Sequence, residues 1–150
     1  MSPTDSGQVF RCTFTVRFGD CDPAAIVFYP RYVEMLNNAC EEWFEKGLAE
    51  PWGRMHRADH RGMPIVDLHV RFLAPSRLGE HLDFALVLTS LGRSAITLEI
   101  TAEGEGGDGK VEKRLEAQLK LVHSDLSGPK AIPIPPELRE RMKPFLRDAS

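Results

Sequence analysis

Two aspartates, Asp20 and Asp22, stand one residue apart in the segment Arg17-Phe18-Gly19-Asp20-Cys21-Asp22-Pro23-Ala24-Ala25-Ile26-Val27-Phe28-Tyr29-Pro30. A carboxylate can attack an acyl carbon or take a proton from water. A helix opening at Pro30 would place unpaired N–H groups and the positive end of its dipole close by, where they can hold an oxyanion. The same residues have a plain structural use, because Asp before Pro starts turns. Residue types alone leave both readings open. Cys21, between the two acids, is the weaker nucleophile, since a reactive thiolate needs a histidine base and the loop has none.

The elements that must position this loop follow from periodicity. Before it, Phe10, Cys12, Phe14, Val16 and Phe18 alternate with Arg11, Thr13, Thr15 and Arg17, which predicts a half-buried strand. After it, Pro30 suits a first helical position, and Val33, Leu36, Ala39, Cys40, Trp43, Phe44 and Leu48 recur at three-to-four spacing. Gly47 is placed to help close that helix, and Pro51 stops it. Trp52 to Gly62 has no clear period and reads as a loop with room for one helical turn. Alternation returns at Val66, Leu68, Val70 and Phe72, at Leu82 to Leu88, at Ile96 to Ala102 and at Leu115 to Leu121, with a glycine-rich turn, EGEGGDGK, before the last strand. Pro135 and Pro136 open a short terminal helix carrying Leu138, Met142 and Phe145 on one side.

This order is α+β: an antiparallel sheet of about five strands wrapped on one long helix, plus a short C-terminal helix, as a single domain over residues 1–150. Strands and helices do not keep alternating, GxxxxGK[ST] does not occur, and the GxGxxG spacing of Gly104 to Gly109 falls in the glycine-rich turn between two strands rather than between a strand and a helix, so a doubly wound nucleotide fold is excluded.

The 150 residues, 42% apolar and 27% charged, are enough for one core without disulfides or a structural metal. A net charge of -3 argues against nucleic acid as a partner. No apolar run is long enough for a membrane span, and the polar opening MSPTDSGQ lacks the order of a secretory signal, so a cytoplasmic location is expected. Cys12, Cys21 and Cys40 match neither a disulfide framework nor a metal knuckle. Of the five histidines only His56 and His60 stand at HxxxH spacing, no HExxH occurs, and no metal is expected. Trp43 and Phe44 read as core, and Glu41, Glu42 and Glu45 as the wet side of the helix. So short a chain has little surface for a deep site of its own, which keeps an oligomer interface in play.

FGDCDPAAIVFYPRY, then a long amphipathic helix, then GMPIV opening the next strand, resembles the 4-hydroxybenzoyl-CoA thioesterase family of the hotdog fold. The likeness is densest from Phe18 to Tyr32. It implies an acyl-CoA thioesterase acting on an aromatic or short-to-medium acyl thioester with no cofactor, assembled as a homodimer or homotetramer whose chains share the acyl tunnel. Asp22 corresponds to the family's catalytic carboxylate, as nucleophile or general base. Tyr29 sits where the family uses a backbone N–H at the helix N-terminus to polarise the thioester carbonyl, so its phenol is not required. Arg93 and Lys130 occupy positions suited to the coenzyme A phosphates, and equally to solvated surface charges. Asn37 falls where hydroxybenzoyl-specific members carry an acid, Met63 replaces a small polar residue, and Ala25 stands where many members have glycine. These departures leave open which acyl group fits. A non-catalytic acyl-CoA-binding hotdog module is the alternative.

Overall fold

The computed structural model describes residues 7–147, so most of the polar opening segment lies outside it. Strand β1 (Phe10–Thr15) leads through a 3-10 turn at Phe18–Asp20 and the aspartate loop into helix α1 (Tyr29–Glu42). Helix α2 (Trp52–Ala58) and strands β2 (Arg61–Gly62), β3 (Ile65–Phe72), β4 (His81–Leu91), β5 (Ala95–Glu105), β6 (Val111–Val122), β7 (Ser124–Asp125) and β8 (Lys130–Ala131) follow, then helix α3 (Pro136–Met142). The large sheet is antiparallel with order β1-β4-β5-β6-β3, and the small one has order β2-β7-β8.

The inner face of the large sheet carries the residues that alternation marks: Leu82, Phe84, Leu86, Leu88, Ile96, Leu98, Ile100, Leu115, Leu119 and Leu121 are sealed from solvent. Leu36, Ala39, Cys40, Trp43 and Phe44 of the helical stretch close over them, so apolar burial holds helix to sheet. Burial pushes the Cys40 thiol up to about 12 and, with help from Glu42, the Cys12 thiol up to about 11. Both thus behave as small apolar residues rather than reactive thiols.

Several expectations change. The first strand stops at Thr15, and Phe18, expected inside, is 84% exposed in the 3-10 turn. After Glu42 the helix widens into a π turn at Trp43–Gly47, with the Leu48 N–H bonded to the Trp43 carbonyl. Gly47 lies within that turn because a Cβ would meet the Trp43 ring at 2.7 Å. The left-handed residue just beyond is Ala49 rather than a glycine. The aperiodic stretch after Pro51 forms the seven-residue α2, held by buried Met55. Strand β3 shows the expected parity in its pairing with β6, but Val66, Leu68 and Phe72 remain exposed. It is an edge strand whose outer edge pairs with no strand among the described residues, and a bulge between Ile65 and Asp67 breaks its register.

Candidate active site

The aspartate loop is a tight hairpin. Asp22 N–H donates to the Ile26 carbonyl at 2.9 Å, Ala25 N–H to the Asp22 carbonyl at 2.9 Å, and Phe28 N–H to the Asp20 carbonyl at 2.9 Å. Both carboxylates serve this geometry: Asp20 Oδ2 accepts from Arg17 N–H and Asp22 Oδ1 from Ala24 N–H, each at 2.8 Å. Asp22 therefore does start a turn, as its place before Pro23 allows. It remains half-buried, lining a groove of about 450 Å³ with Phe18, Cys21, Pro23, Ala25 and Leu78. Ala25 adopts φ 63°, a left-handed conformation that costs a non-glycine residue roughly 1–2 kcal/mol, which explains the glycine common here in the resembling family.

The hairpin delivers the chain to the start of α1. Tyr29 opens the helix, Pro30 has no N–H, and Arg31 N–H is bonded to the Phe28 carbonyl at 2.8 Å. The Tyr29 amide is thus the orphan donor of this first turn, seven residues beyond Asp22 across the hairpin. Its phenol ring is 63% exposed, edge-on to Phe28 and Phe72, over a surface depression of about 310 Å³ that also involves Ile26, Val27 and Tyr32. Burial and the carboxylates of Asp20 and Asp22 raise the Cys21 thiol above its ordinary value, opposite to what a nucleophilic thiolate requires.

Behind the loop lies a polar hub that periodicity hides. Arg114 is 2% exposed and donates to Glu80 through both terminal nitrogens, at 3.1 and 2.8 Å, to Ser76 Oγ at 3.0 Å, and to the carbonyls of Pro75 and Glu105. Its Nε is 2.9 Å from Glu112 Oε1 as an ion-pair contact without hydrogen-bond alignment. Tyr32 OH donates to Ser76 Oγ at 2.7 Å. The Arg114 hydrogen bonds hold the Glu80 carboxyl below its usual range, while burial raises the Tyr32 phenol. Strict alternation puts Arg114 on the wet side of β6, but the β5–β6 register shifts between Ala102 and Glu103, and Arg114 and Leu115 are both buried.

Asn37 and Met63 come together. With Trp52, His56, Gly62, Pro64, Ile65 and Leu126 they line a second cavity of about 370 Å³, Met63 buried and Asn37 exposed on α1. Arg93 and Lys130 do not approach Asp22 within the chain. Both are exposed, Arg93 in the β4–β5 turn and Lys130 on β8 opposite Asp125. β4 begins beside Thr15, close to the aspartate loop, and ends just before Arg93, so its 11 residues put the two ends roughly 30 Å apart.

A second buried cluster anchors the far end. His123, 1% exposed, has Nδ1 within 3.0–3.2 Å of the Pro133 and Ile132 carbonyls, so Nδ1 carries the hydrogen. Its Nε2 then accepts from Arg61 at 2.7 Å, and Arg61 also pairs with Glu50 and Asp59. Burial holds this imidazole below its ordinary value. The unfolded chain accordingly takes the proton first, so this contribution to stability is complete above about pH 6.5 and is lost as pH falls toward the folded-state value. The melting temperature is expected to drop between pH 7.5 and 5.5, and His123→Gln to flatten that slope; equal slopes in the two proteins would contradict the assignment. Among the described residues no group of three or more His, Cys, Asp or Glu is placed to hold a metal ion, and no helix is long and apolar enough to cross a membrane.

Residues 16–142 match the thioesterase-like superfamily. The chain is 26% identical over 128 residues to the 4-hydroxybenzoyl-CoA thioesterase of Pseudomonas sp. (strain CBS-3), covering 83% of this chain and 91% of that one. It is 28% identical over 153 residues to the 1,4-dihydroxy-2-naphthoyl-CoA hydrolase of Thermosynechococcus vestitus, covering 100% and 97%. The solved Pseudomonas 4-hydroxybenzoyl-CoA thioesterase superposes with a TM-score of 0.82 at 25% identity, covering 90% of this chain and 99% of that one. A gentisyl-coenzyme A thioesterase superposes at 0.76 and 27% identity, with 90% and 99% covered.

Proposed function

Because this chain belongs to the thioesterase-like superfamily and has its α+β hotdog architecture, we propose that it hydrolyses an aromatic or short-to-medium acyl-CoA thioester to the free acid and coenzyme A. The observation that carries this reading is a half-buried carboxylate, Asp22, on a hairpin that runs straight into a helix whose first amide, Tyr29 N–H, is unpaired within the turn. One Asp22 oxygen accepts a hydrogen bond in the turn, and the residue lines the groove, so the second oxygen is the one left for chemistry. That oxygen either attacks the thioester carbon or takes a proton from the water that does. In both routes negative charge builds on the carbonyl oxygen, where the Tyr29 amide and helix dipole meet it. The C–S bond then breaks. In the general-base route the coenzyme A thiolate takes the proton that Asp22 removed from water, and the free acid leaves. Direct attack instead leaves an acyl anhydride on Asp22 that a water hydrolyses to the free acid, restoring the carboxylate, with the released proton going to the thiolate. No step needs a metal or redox cofactor.

The Asn37–Met63 cavity would take the far end of the acyl group, and Arg93 and Lys130 the nucleotide phosphates. In one chain these parts stand apart: Phe72 at one end of β3 borders Tyr29, and Ile65 at the other end borders Met63 and Asn37. Two chains pairing antiparallel along the bare β3 edges bring each chain's Phe72 end to its partner's Ile65 end and complete two equivalent sites. The half-exposed Val66, Leu68 and Phe72 support such a homodimer, which can pair again into a homotetramer.

The test is thiol release from a panel of aromatic and aliphatic acyl-CoAs, run beside sedimentation of the same preparation. Turnover of at least one thioester by an assembled dimer or tetramer is expected. Tight acyl-CoA binding with no thiol released would instead establish a non-catalytic binding module, and a monomer at micromolar concentration would overturn the shared site.

A further inference from the structure

Ser76 is fully buried and bonded on two sides to different parts of the candidate site. Its carbonyl accepts from Val27 N–H at 2.9 Å, and Leu78 N–H reaches the Ala25 carbonyl at 3.4 Å, so residues 76–78 run as a backing strand for the end of the aspartate hairpin. Its hydroxyl oxygen receives the Tyr32 OH, three residues after Tyr29 on α1, and an Arg114 N–H. Arg114 is itself fixed by Glu80 and two carbonyls. Loop and helix start are therefore referred to one point on β6.

We propose that Ser76 and Tyr32, hung from Arg114, are positioning residues for thioester hydrolysis, setting the separation between the Asp22 carboxylate and the Tyr29 N–H. The proposal rests on the role given above to that pair. None of the three needs to touch substrate. They act because an error of about 1 Å between reacting groups costs on the order of 10²-fold in rate. A purely structural account is that a buried tyrosine hydroxyl must find some partner, and it makes a different forecast: lower stability with an unchanged turnover number in the molecules that stay folded.

Tyr32→Phe removes one hydroxyl and keeps the ring against Phe72. It is expected to lower kcat about tenfold with KM within about twofold of wild type, and Ser76→Ala to do the same or more. Introduced into Asp22→Asn, Tyr32→Phe should cost nothing further, because the group it positions is already disabled. The Val27 and Phe28 amides should exchange hydrogen about tenfold faster in Tyr32→Phe, a readout that needs no activity. Unchanged kcat in folded Tyr32→Phe and Ser76→Ala, an equal fold-loss in the Asp22→Asn background, or unchanged exchange would each overturn the proposal. If the wild type releases no thiol from any acyl-CoA, the thioesterase reading fails by itself, and exchange at Val27 and Phe28 still decides whether the hydroxyl pair holds the loop.

Discussion

Asp22→Asn is expected to lower kcat for acyl-CoA hydrolysis by about 10³-fold, within the 10²–10⁴ range for removal of a positioned acid or base, while leaving the melting temperature nearly unchanged. The structure makes this separation possible. The turn uses only Oδ1 of Asp22, as acceptor for Ala24 N–H, and an asparagine carbonyl accepts the same bond. What the amide loses is the ability to attack a carbonyl carbon or hold a proton. Asp22→Ala loses both functions and should add a stability cost of about 1 kcal/mol, the usual worth of such a local bond. Comparing the two variants by thiol release and thermal unfolding resolves the turn-forming and chemical roles that residue type alone could not. Equal rates for wild type and Asp22→Asn would remove Asp22 from the mechanism.

The second large effect is on stability. Arg114→Ala is expected to cost about 3 kcal/mol, the lower end of the 3–5 kcal/mol found when one member of a buried ion pair is removed, because Glu80 keeps 26% of its side-chain exposure and is only partly desolvated. The Ser76 hydroxyl and the Pro75 and Glu105 carbonyls lose a donor at the same time. For a chain of this size the loss corresponds to about 6–12 °C in melting temperature. Adding Glu80→Gln should recover part of it, since the stranded charge disappears. A loss under about 1 kcal/mol would mean that water replaces the guanidinium and that the hub is not the anchor its geometry suggests.

Legibility in the sequence followed the length of the repeating signal. The five long strands and α1 each carry several turns or pairs of alternating residues, and all were readable. Two-residue strands such as β2, β7 and β8 have no period at all, and α2 hides because only Met55 of its seven residues is sealed inside. Asp22 and Tyr29 stand out in the sequence as candidates because a rare run of residue types precedes a proline-started helix. Ser76, Arg114 and Tyr32 do not stand out, since what joins them is a set of contacts between elements distant in the chain. Arg114 was further disguised by a bulge that turns an outward parity inward. Phe18 failed for the converse reason: the alternation of β1 ran on, in letters, past the point where the backbone had left the sheet.

The placement of the Asp22–Tyr29 and Asn37–Met63 halves at opposite ends of β3 has a consequence at the level of subunit mixing. If each working site joins the first half of one chain to the second half of another, two separately defective chains complement each other. Asp22→Asn chains exchanged with chains blocked at Asn37 and Met63 would form mixed dimers in which both lesions fall in one site and the other is intact. Two dead preparations should therefore regain activity on subunit exchange, as allelic complementation would show in a cell. A site contained within a single chain would stay dead in every mixture.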